Sequence, residues 1–261
     1  VGGTPEDIMA ITQEDVERFY EQFYAPNNAI LVLSGDIDVK TAKELAEKYY
    51  GKVKSRPVGK KADFPKLSRR FKADMQMRLE AANAPRLVRT YLAPSFNTDA
   101  GQIYALSVFS KYLGEGENSK LYKNLVLKQK KALAVSSSYD YADRSYGTFT
   151  IAAVPAEGVS REELEKALDD AVAEAVSGIN AAEVDKTKHK MLAGLVYLKD
   201  NPNDAAYIAG MLAAVGLSAE EIDNGDIHLR DVGYRDVKKA ADAILQAPAV
   251  SGWLLPLKED D

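Results

Sequence analysis

His189 and His228 are the only histidines in 261 residues, and cysteine is absent, so metal chemistry here would have to rest on two imidazoles and carboxylates. A catalytic zinc takes about three protein ligands, usually His with Asp or Glu, and keeps one position open for water. The two histidines stand 39 positions apart. His189 is followed by Lys190-Met191-Leu192-Ala193 and His228 by Leu229-Arg230-Asp231-Val232, so neither belongs to an H-x-x-E-H or H-E-x-x-H pattern. The residues name no metal ligand and no catalytic group, and they leave the substrate-binding residues unknown.

Other pairings that could do chemistry read as structural. Asp185 and His189 are four apart on one expected helix, where a carboxylate can orient an imidazole, but His189 lies at the border of the face set by Val184, Met191, Leu192 and Leu195. Gly114 and Gly116 form a G-x-G. It follows an expected helix rather than a strand, and no Gly-Lys-Ser/Thr comes after it, so the phosphate fingerprints lack their context. Glu162, Glu163, Asp169, Asp170 and Glu174 form the polar face opposite a Leu/Val stripe. Asp140, Asp143 and Arg144 fall in a hairpin turn, where Asp is favoured by turn geometry.

The elements that would position such residues follow from spacing. Thr12 and Asp15 stand at capping-box distance before Val16, Phe19, Tyr20 and Phe23, which predicts a helix. Pro26-Asn27-Asn28 breaks it, Ala29 to Leu33 reads as a short buried strand, and Val39 to Tyr50 as a helix closed by Gly51. Strand-like segments follow at Met75–Ala82 and Arg86–Leu92. A helix capped by Thr98 or Asp99 carries Ile103, Leu106, Val108 and Phe109, and another runs from Leu121 to Lys131. Leu133–Tyr141 and Tyr146–Val154 alternate as a strand pair. Ser160 with Glu163 opens a helix whose stripe is Leu164, Ala167, Leu168, Ala171, Val172, Ala175 and Val176. Helices from Asn180 to about Leu198, Ala205 to Leu217 and Tyr234 to Leu245 precede a last strand, Val250–Leu255. The short connection between residues 141 and 146 makes the sheet at least partly antiparallel, and the class α+β.

Residues 1–58 read as the end of a first domain, 59–72 as a basic linker and 73–261 as a complete second domain. In the linker region Lys52, Lys54, Arg56, Lys60, Lys61, Lys66, Arg69, Arg70 and Lys72 crowd together with Pro57, Gly59 and Pro65, without interleaved aromatics. With 46% apolar and 28% charged residues the composition is that of an ordinary globular protein. A net charge of −5, spread along the chain, shows no footprint for nucleic acid, and no apolar run reaches a membrane span. The absence of cysteine leaves the compartment open between cytoplasm and periplasm. The start at Val1 is expected of a processed or partial product.

Three blocks near the start resemble the insulinase/pitrilysin family of zinc metallopeptidases. They are Val1-Gly2-Gly3-Thr4-Pro5-Glu6-Asp7-Ile8, then Ile11-Thr12 through Phe19-Tyr20, then Tyr24-x-Pro26-Asn27-Asn28-Ala29 through Gly35-Asp36. Leu113-Gly114-x-Gly116-x-x-Ser119-x-Leu121-Tyr122-x-x-Leu125-Val126, Gln129-Lys130-x-Ala132, Gly147-x-Phe149, Pro155-x-x-Gly158-Val159-Ser160 and Trp253-Leu254-Leu255-Pro256 resemble its bacterial, processing-peptidase-like members. The resemblance covers essentially the whole chain. It implies a largely antiparallel sheet covered by helices on one face, of the processing-peptidase type, preceded by the end of a similar domain.

The resemblance also implies where the chemistry would be. The family's inverted zinc motif and third ligand lie upstream of the block at Val1, so zinc is expected in a preceding domain and no cofactor in this chain. A paired Arg and Tyr of the family, which hold the substrate carbonyl and oxyanion, fall at Val126 and Leu133, or with two inserted residues at Lys128 and Val135. Neither register keeps the pair, and Tyr139 or Tyr141 would be the substitutes for the tyrosine. The expectation is a catalytically inactive portion of a bacterial zinc metalloendopeptidase, forming a substrate-chamber wall and a dimer interface. Its partners would be a peptide or protein substrate and a second peptidase half carrying the Arg/Tyr pair or the zinc motif. The alternative is a non-catalytic structural subunit of a heterodimeric peptidase or a core-type assembly.

Overall fold

A computed structural model describes residues 3–59, 72–79 and 84–257. Among these, residues 3–59 and 201–214 form one compact unit, and residues 72–79, 84–200 and 215–257 another. The basic linker expected at 59–72 lies outside the described residues except at its two ends.

The first unit is helical. Helix α1 (Pro5–Met9) and helix α2 (Gln13–Phe23) each begin in a capping box, Thr4 with Asp7 and Thr12 with Asp15. A 3₁₀ turn (Pro26–Asn28) and helix α3 (Val39–Tyr50) follow. Arg56 donates to the carbonyls of Tyr20 and Tyr24 at the end of α2 and lies over the Tyr20 ring, so this basic residue satisfies helix-end acceptors. The strand expected at Ala29–Leu33 does not form. Ala29 is extended, but the segment has no sheet partner among the described residues, and Ile30, Leu31 and Leu33 are each about half exposed. An apolar run supplies the propensity for a strand, and only a neighbouring strand makes it one. Ala25 is the single buried apolar residue among residues 3–59.

The second unit is built on a five-stranded sheet in the order β1-β5-β2-β4-β3, comprising β1 (Ala73–Leu79), β2 (Arg86–Ala93), β3 (Ala132–Asp140), β4 (Gly147–Pro155) and β5 (Ala249–Pro256). Three pairings are antiparallel and only β1 with β5 is parallel. Register places Leu87, Tyr91, Phe149, Ile151, Val135, Trp253 and Leu255 on one face, where they join a single core with the helices. The fold is thus the α+β arrangement read from the sequence.

Helix α4 (Phe96–Gly114) lies between β3 and the helices α6 (Ala181–Asp200) and α10 (Tyr234–Leu245), which explains why it is apolar around most of its circumference. Phe109 is fully buried and stacks on Phe149 at 5.5 Å. Burying one such ring contributes about 1.5–3 kcal/mol. Helix α5 (Arg161–Ser177) starts at the Ser160/Glu163 capping box and buries Leu164, Ala167, Leu168, Ala171, Val172 and Ala175, with Val176 half-buried beside them. Short helices α8 (Ala219–Asp223) and α9 (Gly225–Asp231) follow α7 (Pro202–Val215).

Helix α4 is kinked: Ser95 caps a first turn, its hydroxyl donating to the Ser145 carbonyl across the sheet end, and Asp99, non-helical at φ −161, ψ 81, stands at the head of the run that carries Ile103, Leu106, Val108 and Phe109, where the sequence places a cap. Helix α7 groups almost wholly with the first unit. A methyl at Gly210 would stand 3.6 Å from Val32.

Candidate functional site

The most irregular backbone of the second unit is concentrated where α4 gives way to the edge strand β3. Residues Tyr122–Lys128 form a π-helical segment, in which the Gln129 amide donates to the Asn124 carbonyl at 2.8 Å. The Lys131 amide then reaches back to the Leu125 carbonyl at 2.9 Å. Between them Lys130 takes φ 53, the only positive φ at a non-glycine residue in the described chain. A β-bulge follows between Ala132 and Ala134. π-Turns, left-handed non-glycine residues and bulges each cost local stability and gather where a chain must present side chains at unusual angles.

This corner is anchored from below. Leu121 and Leu125 are fully buried, the Asn124 amide donates to Glu174 at 2.6 Å, and Lys131 pairs with Glu163 at 3.2 Å. Lys120 pairs with Glu183 at 3.1 Å, and that bond, with the attraction of Lys120, holds the Glu183 carboxyl below its ordinary range. The remaining lysines of the run, Lys123, Lys128 and Lys130, are exposed and form no close ion pair among the described residues, although the charge of Lys123 also acts on Glu183. Leu133, in the bulge, is 64% exposed.

Among the described residues strand β3 is paired on one side only, by β4. Its Val135 and Ser137 face the core, Ser137 donating to the Ser110 carbonyl at 2.8 Å, while Ala134, Ser136 and Ser138 are exposed on the other face. Register continues that face through Thr148, Thr150, Ala152 and Val154, then Val88, Thr90 and Leu92, then Val250, Gly252 and Leu254, to Met75 and Met77 at the opposite edge. Between Arg86 and Asp140 at its rims it carries no charged side chain. The large apolar cluster lies on the other side of the sheet. The chain therefore offers an uncharged sheet face bordered by an unpaired edge and a basic corner.

The residues weighed in the sequence take other roles. His189 Nδ1 bonds the Asp185 backbone carbonyl at 2.7 Å, whereas the Asp185 carboxylate pairs with Lys188 at 3.3 Å, so the carboxylate–imidazole pair is not made. His228 is exposed against the Tyr104 ring at 5.2 Å. The G-x-G divides into two separate needs: a Cβ at Gly114 would stand 2.4 Å from the Ser137 nitrogen, and Gly116 has φ +81. Asp140 and Asp143 accept from the Ala142 and Ser145 amides at 3.2 and 2.8 Å, as turn residues do. On α5, Asp169 bonds Arg89 at 2.5 Å, so part of the solvated acidic face fastens the helix to the sheet.

Neither register of the Arg/Tyr pair yields two side-chain donors. Val126 packs half-buried on the core, Leu133 is exposed, Lys128 ends the π segment in solvent and Val135 is buried. Tyr139 donates to the Pro94 carbonyl at 2.6 Å. Tyr141 packs edge-on against Phe96 at 5.3 Å, and burial, with the charge of Asp140, raises its pKa. Among the described residues no three His, Cys, Asp or Glu side chains come together as metal ligands. The donor set does not fit a zinc ion, and no catalytic step is assigned to one here. Nor does the depression of about 470 Å³ beside Pro85, Val159, Arg161 and Leu255 gather catalytic groups; it is wide open to solvent.

Residues 10–191 match the family described as the peptidase M16 inactive domain. The chain belongs to that family. It is 28% identical over 217 residues to the zinc protease PqqE of Helicobacter pylori, covering 81% of this chain and 47% of that protein. The crystal structure of a protease from Helicobacter pylori superimposes with a TM-score of 0.86 at 22% identity, covering 97% of this chain and 62% of the other. A peptidase M16 inactive domain from Pseudomonas fluorescens gives 0.80 at 19% identity, covering 98% and 60%. The chain thus spans about half the length of the curated relative it matches.

The irregular corner is what sequence reasoning missed. The run Lys120, Lys123, Lys128, Lys130, Lys131 was visible, but a π turn and a left-handed lysine leave no compositional mark.

Proposed function

We propose that this chain is the non-catalytic portion of a zinc metalloendopeptidase, in which the second unit walls a substrate chamber and holds an extended peptide along the free edge of β3. The observation that carries the reading is the edge itself. β3 has backbone groups to offer on its outer side, and it borders a sheet face without charge. A peptide that adds as a further strand satisfies those groups and is held largely without regard to its sequence. Membership of the inactive-domain family, and a zinc protease as relative, support placing the zinc outside this chain.

On the same reading the first unit is the closing part of a first domain. Its helices present Val16, Phe19 and Tyr20 half exposed and need a sheet to cover them. A second peptidase half completes the chamber as a dimer partner, in the periplasm or the cytoplasm of a bacterium.

Site-directed photocrosslinking tests this. A benzophenone side chain at Ser136 or Ser138 is expected to capture an unstructured peptide, whereas one at Lys166, exposed on α5, is not. Equal capture at the three positions would refute the edge as a peptide site.

A further inference from the structure

We propose that the corner leading into β3 selects acidic peptides, with Lys128 and Lys130 as the specificity-determining residues and Lys123 in support. The proposal rests on the reading of β3 as the peptide edge and names the class of segment that edge takes.

The argument is one of charge left unmatched. Five lysines lie between residues 120 and 131 in a chain of net charge −5. The two outermost, Lys120 and Lys131, are each paired with a glutamate of α6 or α5. Of the three between them, Lys128 and Lys130 are exposed and unpaired among the described residues, and Lys123 is exposed and within the field of Glu183 only, although α5 presents acidic side chains close enough to engage Asn124 and Lys131. Like charges held near one another repel, and a counter-charge relieves that cost.

Backbone geometry adds a second, independent observation. Lys130 occupies the left-handed region, which a lysine adopts only at a cost and where glycine would sit freely. Its neighbours are fixed by the π turn on one side and the bulge on the other. The cationic side chains are therefore presented at the start of the edge strand, ahead of the exposed Leu133. A peptide paired with β3 would run its end past this corner, so Asp or Glu at that end meets Lys128 and Lys130 while an apolar residue meets Leu133.

The test uses residues 1–261 and three fluorescent ten-residue peptides. One carries two glutamates at one end of an apolar-polar alternating segment, one has glutamine in their place, and one is the glutamate peptide with alternate amides N-methylated to block strand addition. Fluorescence anisotropy is expected to show the glutamate peptide binding about tenfold tighter than the glutamine peptide, the order given by two or three exposed ion pairs. That advantage should vanish in K128E/K130E and in the milder K128Q/K130Q, and shrink with added salt. It should survive in K186E/K190E, which makes the same charge change on α6, and N-methylation should abolish binding.

Equal binding of the glutamate and glutamine peptides, or an equal loss in the α6 variant, overturns the acidic preference and leaves β3 as a peptide edge. Undiminished binding of the N-methylated peptide overturns the coupling of the lysines to that edge. No binding of any peptide overturns both readings.

Discussion

Replacing Gly114 by alanine tests whether the G-x-G is a packing device. A methyl there would lie 2.4 Å from the Ser137 nitrogen and 2.8 Å from both the Ser136 carbonyl carbon and Ser137 Oγ. Ordinary contacts need about 3.5–4.0 Å, so β3 and the end of α4 must separate by roughly 1 Å. The atoms met are mostly backbone, and β3 is tied to β4 and, through Ser137, to the Ser110 carbonyl, so no flexible side chain can absorb the shift. Overpacking of this kind costs about 1–3 kcal/mol, and backbone contact places G114A toward the upper end, at about 2–3 kcal/mol. For a unit of this size that lowers Tm by about 4–12 °C. Gly116 is the internal control. It has φ +81 and no atom within 4 Å of a built Cβ, so G116A loses only about 1 kcal/mol for the left-handed backbone. Urea unfolding followed by Trp253, the one tryptophan, reports on the second unit alone, because it lies buried in β5 with its indole donating to Glu165 at 2.5 Å. A loss under about 0.5 kcal/mol in G114A, or equal losses in the two variants, would refute the packing argument.

Tyr112 donates to the Ala175 carbonyl at 2.8 Å, and burial, with the charge of Glu183, pushes its pKa up to about 12. A phenol whose folded pKa is raised keeps its proton longer than in the unfolded chain, so its stabilisation is complete below pH 10 and is lost as pH rises toward 12. Tyr112→Phe should cost about 1 kcal/mol at neutral pH and flatten the alkaline decline in urea melts, and an unchanged decline would exclude Tyr112 as a contributor. Lys130→Gly relieves the left-handed backbone, worth about 1 kcal/mol, but gives back a similar amount in unfolded-state entropy. Stability should therefore stay within about 1 kcal/mol of the parent in the same melts, while the acidic-peptide advantage falls; a large loss of stability would make Lys130 a structural residue. Dialysis of residues 1–261 against zinc, followed by elemental analysis, should leave no stoichiometric metal, and a fluorogenic peptide should not be cleaved. Zinc-dependent turnover would place ligands in this chain.

What could be read from the sequence was what short range decides. The Thr12/Asp15 and Ser160/Glu163 boxes, the stripe from Leu164 to Ala175 and the limits of α3 and α10 depend on neighbours within one or two turns, and all appear in the structure. What escaped depends on partners distant in the chain. Ala29–Leu33 has strand composition without a strand beside it among the described residues, and the extra first turn of α4 forms at Ser95 because Ser145, fifty residues on, accepts its hydroxyl. Gly114 resembles a phosphate loop until Ser137 is brought against it.

The same distinction bears on how a domain without a catalytic centre can keep a functional surface. At Val126, Lys128, Leu133 and Val135 no fixed pair of donors remains, yet the backbone through them carries a π turn, a left-handed lysine and a bulge in succession. A corner required only to join a helix to a strand has cheaper solutions: a regular α-turn, glycine at position 130, an unbulged edge. Each irregularity costs about 1–3 kcal/mol unless its surroundings hold it, and here Leu121, Leu125, the Asn124–Glu174 bond and the Lys131–Glu163 pair do hold it. The surface to pursue in this chain is therefore the path from Tyr122 to Ser138, not either histidine.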